Sequence, residues 1–354
     1  MTESINNIFF FLLGLTTSLL MNQLLLKFSL TLGIRNKNDI TVRWSNKSKP
    51  SIGGVSLLIA FFASFFLCSI TNNQVNIFAN QSFVGLFLSS SIAFLMGLFD
   101  DAYNTKPYLK LAIQILCGIL LTWTGTQIDL FHIPWLDQIC TVLWVVMLMN
   151  SLNMLDNMDG ITATSVFFTL LSCLFSSSFI KNFDETFLIS IIIGMLGALI
   201  GFLRFNLHPS KLFMGDSGSQ FIGLFVAFFT IKYLWNIGSE THNHSWIGLI
   251  ITLTALTAAA ADSITVLVNR LRKGQSPLKG GKDHTTHHLV YAGFNDRQVW
   301  WIFMGIGLFS FILSSFIVCL VHLKEIEYIL IFPVFFILVF GYLYRNTLIH
   351  KAPE

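Results

Sequence analysis

Six aspartates stand at or near the ends of apolar runs in a chain of 354 residues, of which 54% are hydrophobic and only 11% charged. An ionised aspartate at the centre of a membrane helix costs roughly 2.5–3.5 kcal/mol on insertion scales, so such residues tend to face polar cavities or interfaces. If they lie on one side of a membrane, they can form one site. The six are Asp100, Asp101, Asp156, Asp159, Asp216 and Asp262.

Two of these acids, Asp100 and Asp101, are adjacent at the end of an apolar run. Neighbouring carboxylates repel each other, and a divalent cation or a shared proton removes that cost. The pair therefore indicates metal binding or proton transfer. A solvated helix end is the alternative interpretation.

A second motif has polar residues three apart: Asn153, Asp156 and Asp159, followed by Gly160. Residues three apart on a helix lie near one face. Three oxygen-bearing side chains on one face suit a hard cation or the phosphates bound to it. The alternative is a turn in which Asp159 caps the next helix.

A third motif, Gly215-Asp-Ser-Gly-Ser, opens an apolar run and follows a polar stretch that begins at Asn206. A helix start offers backbone N–H groups and a favourable dipole to phosphate, and Asp216 adds a metal ligand. Mg²⁺ uses few carboxylates and takes further oxygens from phosphates. The motif predicts a phosphate and metal site, with an N-capped re-entry into the membrane as the alternative.

Two basic stretches complete the set of candidate residues. In the first, Lys47 or Lys49 could reach a phosphate, and the pair Gly53-Gly54 permits close backbone approach. The second combines arginines with histidines, and guanidinium forks and imidazoles suit a diphosphate. Zinc binding is less favoured because no other Cys or His has zinc spacing, while a purely topological role for the Lys and Arg residues is the alternative. The second stretch holds Arg270, Arg272, His284, His287 and His288.

The elements that must position these residues are apolar segments. The mean hydropathy is +0.70, a membrane span needs about 20 mainly apolar residues, and eleven segments qualify. Of the 21 Lys and Arg residues, 18 lie on one face of the predicted topology and 3 on the other. The positive-inside rule makes the first face cytoplasmic, with the N-terminus outside and the C-terminus inside. The segments are 7–32, 53–71, 82–99, 108–125, 136–155, 160–180, 185–204, 217–235, 246–269, 298–322 and 326–344.

The predicted fold is therefore an all-α, polytopic membrane protein, with residues 1–354 as a single domain. The topology, which uses only Lys and Arg, places five of the six aspartates on the cytoplasmic face. Asp262 is the exception, because it lies about two turns inside the ninth segment, and it has no firm role.

These motifs, in this order, resemble the polyprenyl-phosphate N-acetylhexosamine-1-phosphate transferases, the WecA-, TagO- and MraY-like enzymes of glycosyltransferase family 4. The resemblance runs from about Arg43 to His288. It implies ten or eleven spans and transfer of a sugar 1-phosphate from a UDP-sugar to undecaprenyl phosphate with release of UMP, and the sugar expected for this chain is GlcNAc. It also implies Mg²⁺, with Mn²⁺ as an alternative ion, and a bacterial inner (cytoplasmic) membrane. A homodimer is an open expectation, and nucleic acid is not an expected partner.

The resemblance also implies residue roles. Asp216 would be both catalytic and a metal ligand, with Asp156 and Asp101 as further metal ligands. Asp100 or Asp101 would deprotonate or position the lipid phosphate. The implied substrate-binding residues are Lys47, Asn153, Asp156, Asp159, Asn206, Arg270, Arg272, His284, His287 and His288.

Two departures from the family pattern bear on the donor. Asn157 stands where many members have Gly, and the chain has His-Thr-Thr-His-His from His284, whereas the muramyl-pentapeptide enzymes carry three consecutive histidines. The second departure favours UDP-GlcNAc over a peptidoglycan precursor. The competing predictions are a UDP-MurNAc-pentapeptide enzyme, a non-catalytic nucleotide-sugar binder and a cation-coupled transporter. A transporter site usually lies near the bilayer midplane between internal repeats, and the acids here lie mainly at one edge.

Overall fold

The computed structural model describes residues 2–29, 49–71, 80–180, 186–238, 245–276 and 281–351. These parts of the chain are helical and contain no β-strand. The α-helices are α1 (Thr2–Phe28), α2 (Gly53–Thr71), α3 (Gln81–Tyr103), α4 (Pro107–Trp123), α5 (Pro134–Leu155), α6 (Ile161–Ser177), α7 (Thr186–Asn206), α8 (Gly215–Thr230), α9 (Trp246–Ala255), α10 (Thr257–Arg272), α11 (Thr285–Tyr291), α12 (Asp296–Leu323) and α13 (Pro333–Ile349). A π-helical turn, Ile231–Trp235, continues α8.

The all-α, multi-span fold is confirmed. Within the described residues, eight helices are long and apolar enough to cross a membrane, and a ninth span results if α9 and α10 are counted together. The shorter apolar helices α4 and α6 have 17 residues each. Within the described residues, each predicted segment thus falls on one or two helices, while the count of eleven spans and the orientation of the termini stay predictions.

The ninth predicted segment, 246–269, differs from a single straight helix. It is broken at Leu256, between α9 and α10, and the two parts meet at 88°. The prediction of one span was drawn from hydropathy alone, which does not register a bend inside an apolar run.

Local signals set the helix ends near the site. α3 ends at Asn104, which has the left-handed conformation (φ 48°) that Asn tolerates better than most residues. Pro107 opens α4 and Pro134 opens α5, at a helix position where a missing N–H carries no penalty. The short link between α3 and α4 keeps the acidic end of α3 next to the start of α4.

Helix α8 lies at the centre of the protein. Its residues from Ser217 to Thr230 are all buried, and it packs against α2, α3 and α5. Close approach depends on glycine, because a Cβ at Gly97 of α3 would lie 2.3 Å from the Asp216 carbonyl oxygen and a Cβ at Gly54 would lie 2.3 Å from Gly218. The predicted role of the Gly53-Gly54 pair in close backbone approach is confirmed.

Candidate active site

The start of α8 is fixed by the end of α3 through Asp101. The Asp101 carboxylate accepts hydrogen bonds from the backbone N–H groups of Asp216 (3.0 Å) and Ser217 (2.9 Å). These are two of the N–H groups that a helix start leaves without an intrahelical partner. One member of the acidic pair therefore caps the helix that carries Asp216.

Asp216 is held by an amide from α5. Asn153 Nδ2 donates to Asp216 Oδ1 (2.7 Å) and to Ser219 Oγ (2.8 Å). The side chain of Asp216 is 37% exposed, whereas that of Asp100 is 2% exposed. Asp216 is thus oriented through one oxygen while its carboxylate stays accessible from outside.

Lys110 of α4 joins the two acids. It forms an ion pair with Asp100, and its Nζ lies 3.7 Å from Asp216 Oδ2. Asp100 Oδ1 also accepts from the backbone N–H (2.8 Å) and the hydroxyl (2.7 Å) of Thr105. From the sequence, Lys110 was assigned only a topological role, although a lysine inside the predicted segment 108–125 is itself a signal of function.

The second motif was predicted to place Asn153, Asp156 and Asp159 on one helix face. This prediction is wrong for the two aspartates. α5 ends at Leu155, so that only Asn153 lies on the helix, and Asp156 is the C-cap residue. Asp159 follows in a turn, where its carboxylate accepts from the backbone N–H (3.0 Å) and hydroxyl (2.7 Å) of Ser210. Asp159 therefore binds the loop that precedes α8 and does not share a helix face with Asn153.

Other contacts stabilise the same loop. Lys49 Nζ donates to Ser210 Oγ (2.8 Å) and lies 3.6 Å from Asp159 Oδ2. The buried Asn206 accepts from the Gly160 N–H (3.0 Å) and donates to the Leu212 carbonyl (2.9 Å). The structure thus places Asp159 and Asn206 as partners of backbone groups. The predicted phosphate-binding Lys47 lies outside the described residues.

Asp262 has a clear structural role that the sequence did not reveal. It is fully buried and accepts three hydrogen bonds, from His284 Nδ1 (2.9 Å) and from the N–H (2.8 Å) and hydroxyl (2.6 Å) of Thr285. Asp262 lies in α10, and His284 and Thr285 stand at the start of α11. Asp262 therefore anchors the segment from His284 to His288, which we call the histidine segment, and orients the His284 ring.

The three histidines have different surroundings. The rings of His284 and His287 meet edge to face at 5.4 Å between centroids, and His288 Nδ1 contacts the His350 carbonyl beyond α13. Burial lowers the pKa of His287 to about 3, and burial also lowers the pKa of His288. Both rings are therefore neutral at pH 7 and offer hydrogen bonds, not positive charge.

The two predicted arginines point to different partners. Arg270 forms a bidentate pair with Asp283 through Nε and Nη2, both at 2.8 Å. Burial acts to raise the pKa of Asp283, but the hydrogen bonds from Arg270 prevail and hold this pKa below its usual value. Arg272 donates to the Tyr344 hydroxyl of α13. Neither arginine is paired with Asp100, Asp101 or Asp216 in these contacts.

One hydrogen bond joins the histidine segment to the second acidic motif. The Thr286 hydroxyl donates to Asn157 Oδ1 (2.6 Å), while Asn157 Nδ2 donates to the Met154 carbonyl (2.8 Å). Asn157 and Thr286 belong to the two departures from the family pattern. The structure therefore shows that the two departures are in direct contact.

Replacing Asp262 with alanine is expected to lower the free energy of unfolding by about 3–5 kcal/mol, because removal of one partner from a buried charged network leaves the others unsatisfied. Thermal unfolding in one detergent would measure the change. Asp129→Ala is the control, since Asp129 is 42% exposed and pairs with the exposed His132, and such a pair contributes about 0–1 kcal/mol. Equal melting of the Asp262→Ala variant and the wild type would contradict the anchoring role.

The residues around Asp216 fit a magnesium ion that takes some of its ligands from substrate phosphates. They fit a metal ion coordinated only by protein side chains less well. Among the described residues, no three His, Cys, Asp or Glu side chains are grouped to hold a metal, and the set of Asp216, Asp156 and Asp101 stays a prediction. Mg²⁺ is usually bound through one or two carboxylates and substrate phosphates. The Lys110 ammonium lies between Asp100 and Asp216, which shows that the two acids can share a cation. Asp216 is the acid best placed to hold Mg²⁺.

Comparisons with known proteins agree with the motifs. The model of glycosyl transferase family 4 matches residues 83–234, which include the acidic pair, Asn153 and Asp216. A relative from Bacillus subtilis, named a probable undecaprenyl-phosphate N-acetylglucosaminyl 1-phosphate transferase, is 22% identical over 87% of this chain and 83% of its own.

Two further relatives carry related names. The decaprenyl-phosphate N-acetylglucosaminephosphotransferase of Mycolicibacterium smegmatis is 27% identical over 74% of this chain and 70% of its own. The phospho-N-acetylmuramoyl-pentapeptide-transferase of Streptococcus gordonii is 26% identical over 80% of this chain and 88% of its own. In its ordered motifs and its all-helical membrane fold, the chain is thus similar to members of glycosyl transferase family 4.

Proposed function

We propose that the protein transfers N-acetylhexosamine 1-phosphate from a UDP-sugar to undecaprenyl phosphate and releases UMP, thereby initiating a lipid-linked glycan of the cell envelope. The donor that we propose is UDP-GlcNAc. The observation that carries the proposal is the cluster of Asp100, Lys110 and Asp216 beside the N-terminus of α8. The names of the Bacillus and Mycolicibacterium relatives support the same acceptor class and sugar.

The proposed reaction is a direct displacement at phosphorus. An oxygen of the lipid phosphate bonds to the sugar-linked phosphorus of the donor, as the bond from that phosphorus to the bridging oxygen breaks. The bridging oxygen leaves with UMP, and the product is a lipid diphosphate that carries the sugar. Such transfers depend mainly on positioning and on electrostatic stabilisation of the phosphoryl oxygens.

Residues of the chain supply both the positioning and the electrostatic stabilisation. Lys110 provides a positive charge whose position is fixed by Asp100, so it need not be reoriented as charge develops on the phosphate oxygens. Asp101 fixes the start of α8, and Asn153 orients the Asp216 carboxylate. Mg²⁺, held by Asp216 and the donor diphosphate, would neutralise charge on the leaving UMP.

The histidine segment is the proposed binding surface for the rest of the donor. His284 is oriented by Asp262, and Arg270 is held next to it through Asp283. Ring N–H groups and a guanidinium can donate to diphosphate oxygens. The hydrogen bond between Thr286 and Asn157 connects this surface to the acidic motifs.

The acceptor requires an apolar route to the same cluster. Exposed apolar side chains stand near the polar residues of the cluster on the same helices, with Phe99 and Tyr103 near Asp100 on α3 and Leu109 next to Lys110 on α4. A polyprenyl tail in the bilayer can therefore lie along these helices while its phosphate reaches Lys110. This arrangement supports a location in a membrane, and the bacterial relatives support our proposal that it is the bacterial cytoplasmic membrane.

A second candidate within the same class is transfer of MurNAc-pentapeptide 1-phosphate. The match to the Streptococcus relative of that name favours it. The interrupted histidine sequence, in which Thr285 and Thr286 separate His284 from His287, favours the simpler donor. The two candidates use the same acceptor and differ only in the donor.

A donor panel tests the proposal. Purified protein in lipid nanodiscs, given undecaprenyl phosphate and Mg²⁺, is expected to release UMP and form a lipid-linked sugar with UDP-GlcNAc. EDTA should abolish the reaction, and added Mg²⁺ or Mn²⁺ should restore it. Product from UDP-MurNAc-pentapeptide and not from UDP-GlcNAc would transfer the assignment to the second candidate. No product from any UDP-sugar in a folded preparation would refute both.

A further inference from the structure

Three buried or half-buried amides lie directly beneath the polar residues of the candidate site. Each is one turn further into the same helix as a site residue, on α4, α5 and α8. Gln114 and Gln220 are each 1% exposed, and Asn150 is half-buried. The pairs, site residue first, are Lys110 and Gln114, Asn153 and Asn150, and Asp216 and Gln220.

The amides form one connected hydrogen-bonded group, which we call the amide layer (Gln114, Asn150 and Gln220). Asn150 Nδ2 donates to Gln114 Oε1 (2.7 Å), and Gln114 Nε2 donates back to Asn150 Oδ1 (3.3 Å). Gln114 Nε2 also donates to Gln220 Oε1 (3.0 Å). A second bond from Asn150 Nδ2, to the Val146 carbonyl (2.8 Å), ties the layer to the backbone of α5.

Apolar residues would pack these three helices together without such a group. Hydrogen bonds between membrane helices stabilise a bundle only weakly on average, so the layer contributes little to stability. It does fix the positions of the three helices along their axes relative to one another, because each residue adds 1.5 Å along a helix. A slide of one helix by a single residue would break bonds of 2.7–3.0 Å and leave buried amides without hydrogen-bond partners, which is unfavourable.

We propose that the amide layer is a positioning device that holds Lys110, Asn153 and Asp216 at the mutual distances required for cation and phosphate binding. The inference rests on the proposed function and adds residues to it that do not touch substrate. The layer acts through the helices, since a shift of α4 against α8 would change the 3.7 Å separation of Lys110 Nζ from Asp216 Oδ2. A shift of α5 against α8 would break the 2.7 Å bond from Asn153 to Asp216.

The test replaces single amides by methionine, which has a similar length and no hydrogen-bonding amide. The variants are Gln220→Met and Gln114→Met in the full-length protein in nanodiscs. Thr230→Val is the matched control, because it removes the bond from Trp144 Nε1 to Thr230 Oγ1 (3.2 Å), which also joins α5 to α8. Thr230 is 14 residues from Asp216, or roughly 20 Å along the helix.

Three quantities are measured for each protein: the melting temperature, kcat and KM for the UDP-GlcNAc reaction, and the affinity for Mn²⁺ by electron paramagnetic resonance with UDP-GlcNAc present and the lipid acceptor omitted. Both amide variants are expected to lose roughly 10–100-fold in kcat or Mn²⁺ affinity, as is usual when a residue behind a metal ligand is changed. Their KM should change less than kcat. The control should retain both quantities even if its melting temperature falls as much as theirs.

The inference is overturned if an active wild type and both amide variants share the same kcat and Mn²⁺ affinity, whatever their melting temperatures. It is also overturned if the Thr230→Val control loses as much as the amide variants, because the effect would then reflect general loosening of the bundle. Neither result would affect the proposed function. That function fails separately, if the folded wild type forms no product.

Discussion

The Asp216→Asn variant is expected to fold normally and to lose roughly 10³-fold in kcat, since a bound metal ion supplies several kcal/mol of charge stabilisation and 1.36 kcal/mol corresponds to tenfold in rate. Asparagine preserves the shape of the side chain and an oxygen that can accept from Asn153. It removes the negative charge that would hold the metal ion. The loss should therefore appear in kcat and in the affinity for Mn²⁺, with little change in the melting temperature.

Matched measurements separate this explanation from misfolding. Asp129→Asn, which changes an exposed acid of the loop before α5, should leave both kcat and Mn²⁺ affinity unchanged. If Asp216→Asn kept wild-type activity at every Mg²⁺ concentration, Asp216 would not hold the ion. The assignment of the start of α8 as the metal site would then be wrong.

The Lys110→Met variant is expected to lose roughly 10²–10³-fold in kcat, the usual cost of removing one preorganised group that stabilises charge on the reacting oxygens. Methionine keeps most of the length of lysine but removes the positive charge between Asp100 and Asp216. The buried Asp100 carboxylate would lose its ion pair and keep its bonds from Thr105. Some loss of stability should accompany the loss of activity.

Two further substitutions, one at a neighbouring lysine and one at Lys110 itself, make this prediction specific. Lys106→Met removes an exposed lysine just before α4 that lies 5.8 Å from the Tyr108 ring centre, and it should leave kcat unchanged. Lys110→Arg restores the charge and should recover part of both activity and melting temperature. Equal activity of the Lys110→Met and Lys106→Met variants would remove Lys110 from the proposed mechanism.

The sequence was sufficient to predict the helical membrane fold and the motifs of the site, because both depend on local patterns. Apolar runs of span length, interrupted by acids, predicted helices whose ends carry Asp100, Asp101 and Asp216. The glycine-rich motif predicted a helix start that bears Asp216, and the structure confirms that start at Gly215.

Contacts between distant segments were not predictable in the same way. The bond from Asn153 to Asp216 spans 63 positions and the bond from Asp262 to His284 spans 22, and no local pattern specifies which partner a buried acid selects. Spacing by three suggested a common face for Asn153 and Asp159, but α5 ends at Leu155. A polar spacing pattern does not show where a helix stops, and in this protein the turn allows Asp159 to bind Ser210.

The most direct test of the central claim follows the phosphorus atom. UDP-GlcNAc labelled with radioactive phosphorus only in the sugar-linked phosphate is incubated with the protein, undecaprenyl phosphate and Mg²⁺, and the lipid and aqueous phases are separated. We predict that the label enters the lipid phase in step with the release of unlabelled UMP. Label that stays in the aqueous phase as UDP while the sugar enters the lipid phase would contradict the account, because the protein would then transfer the sugar without its phosphate.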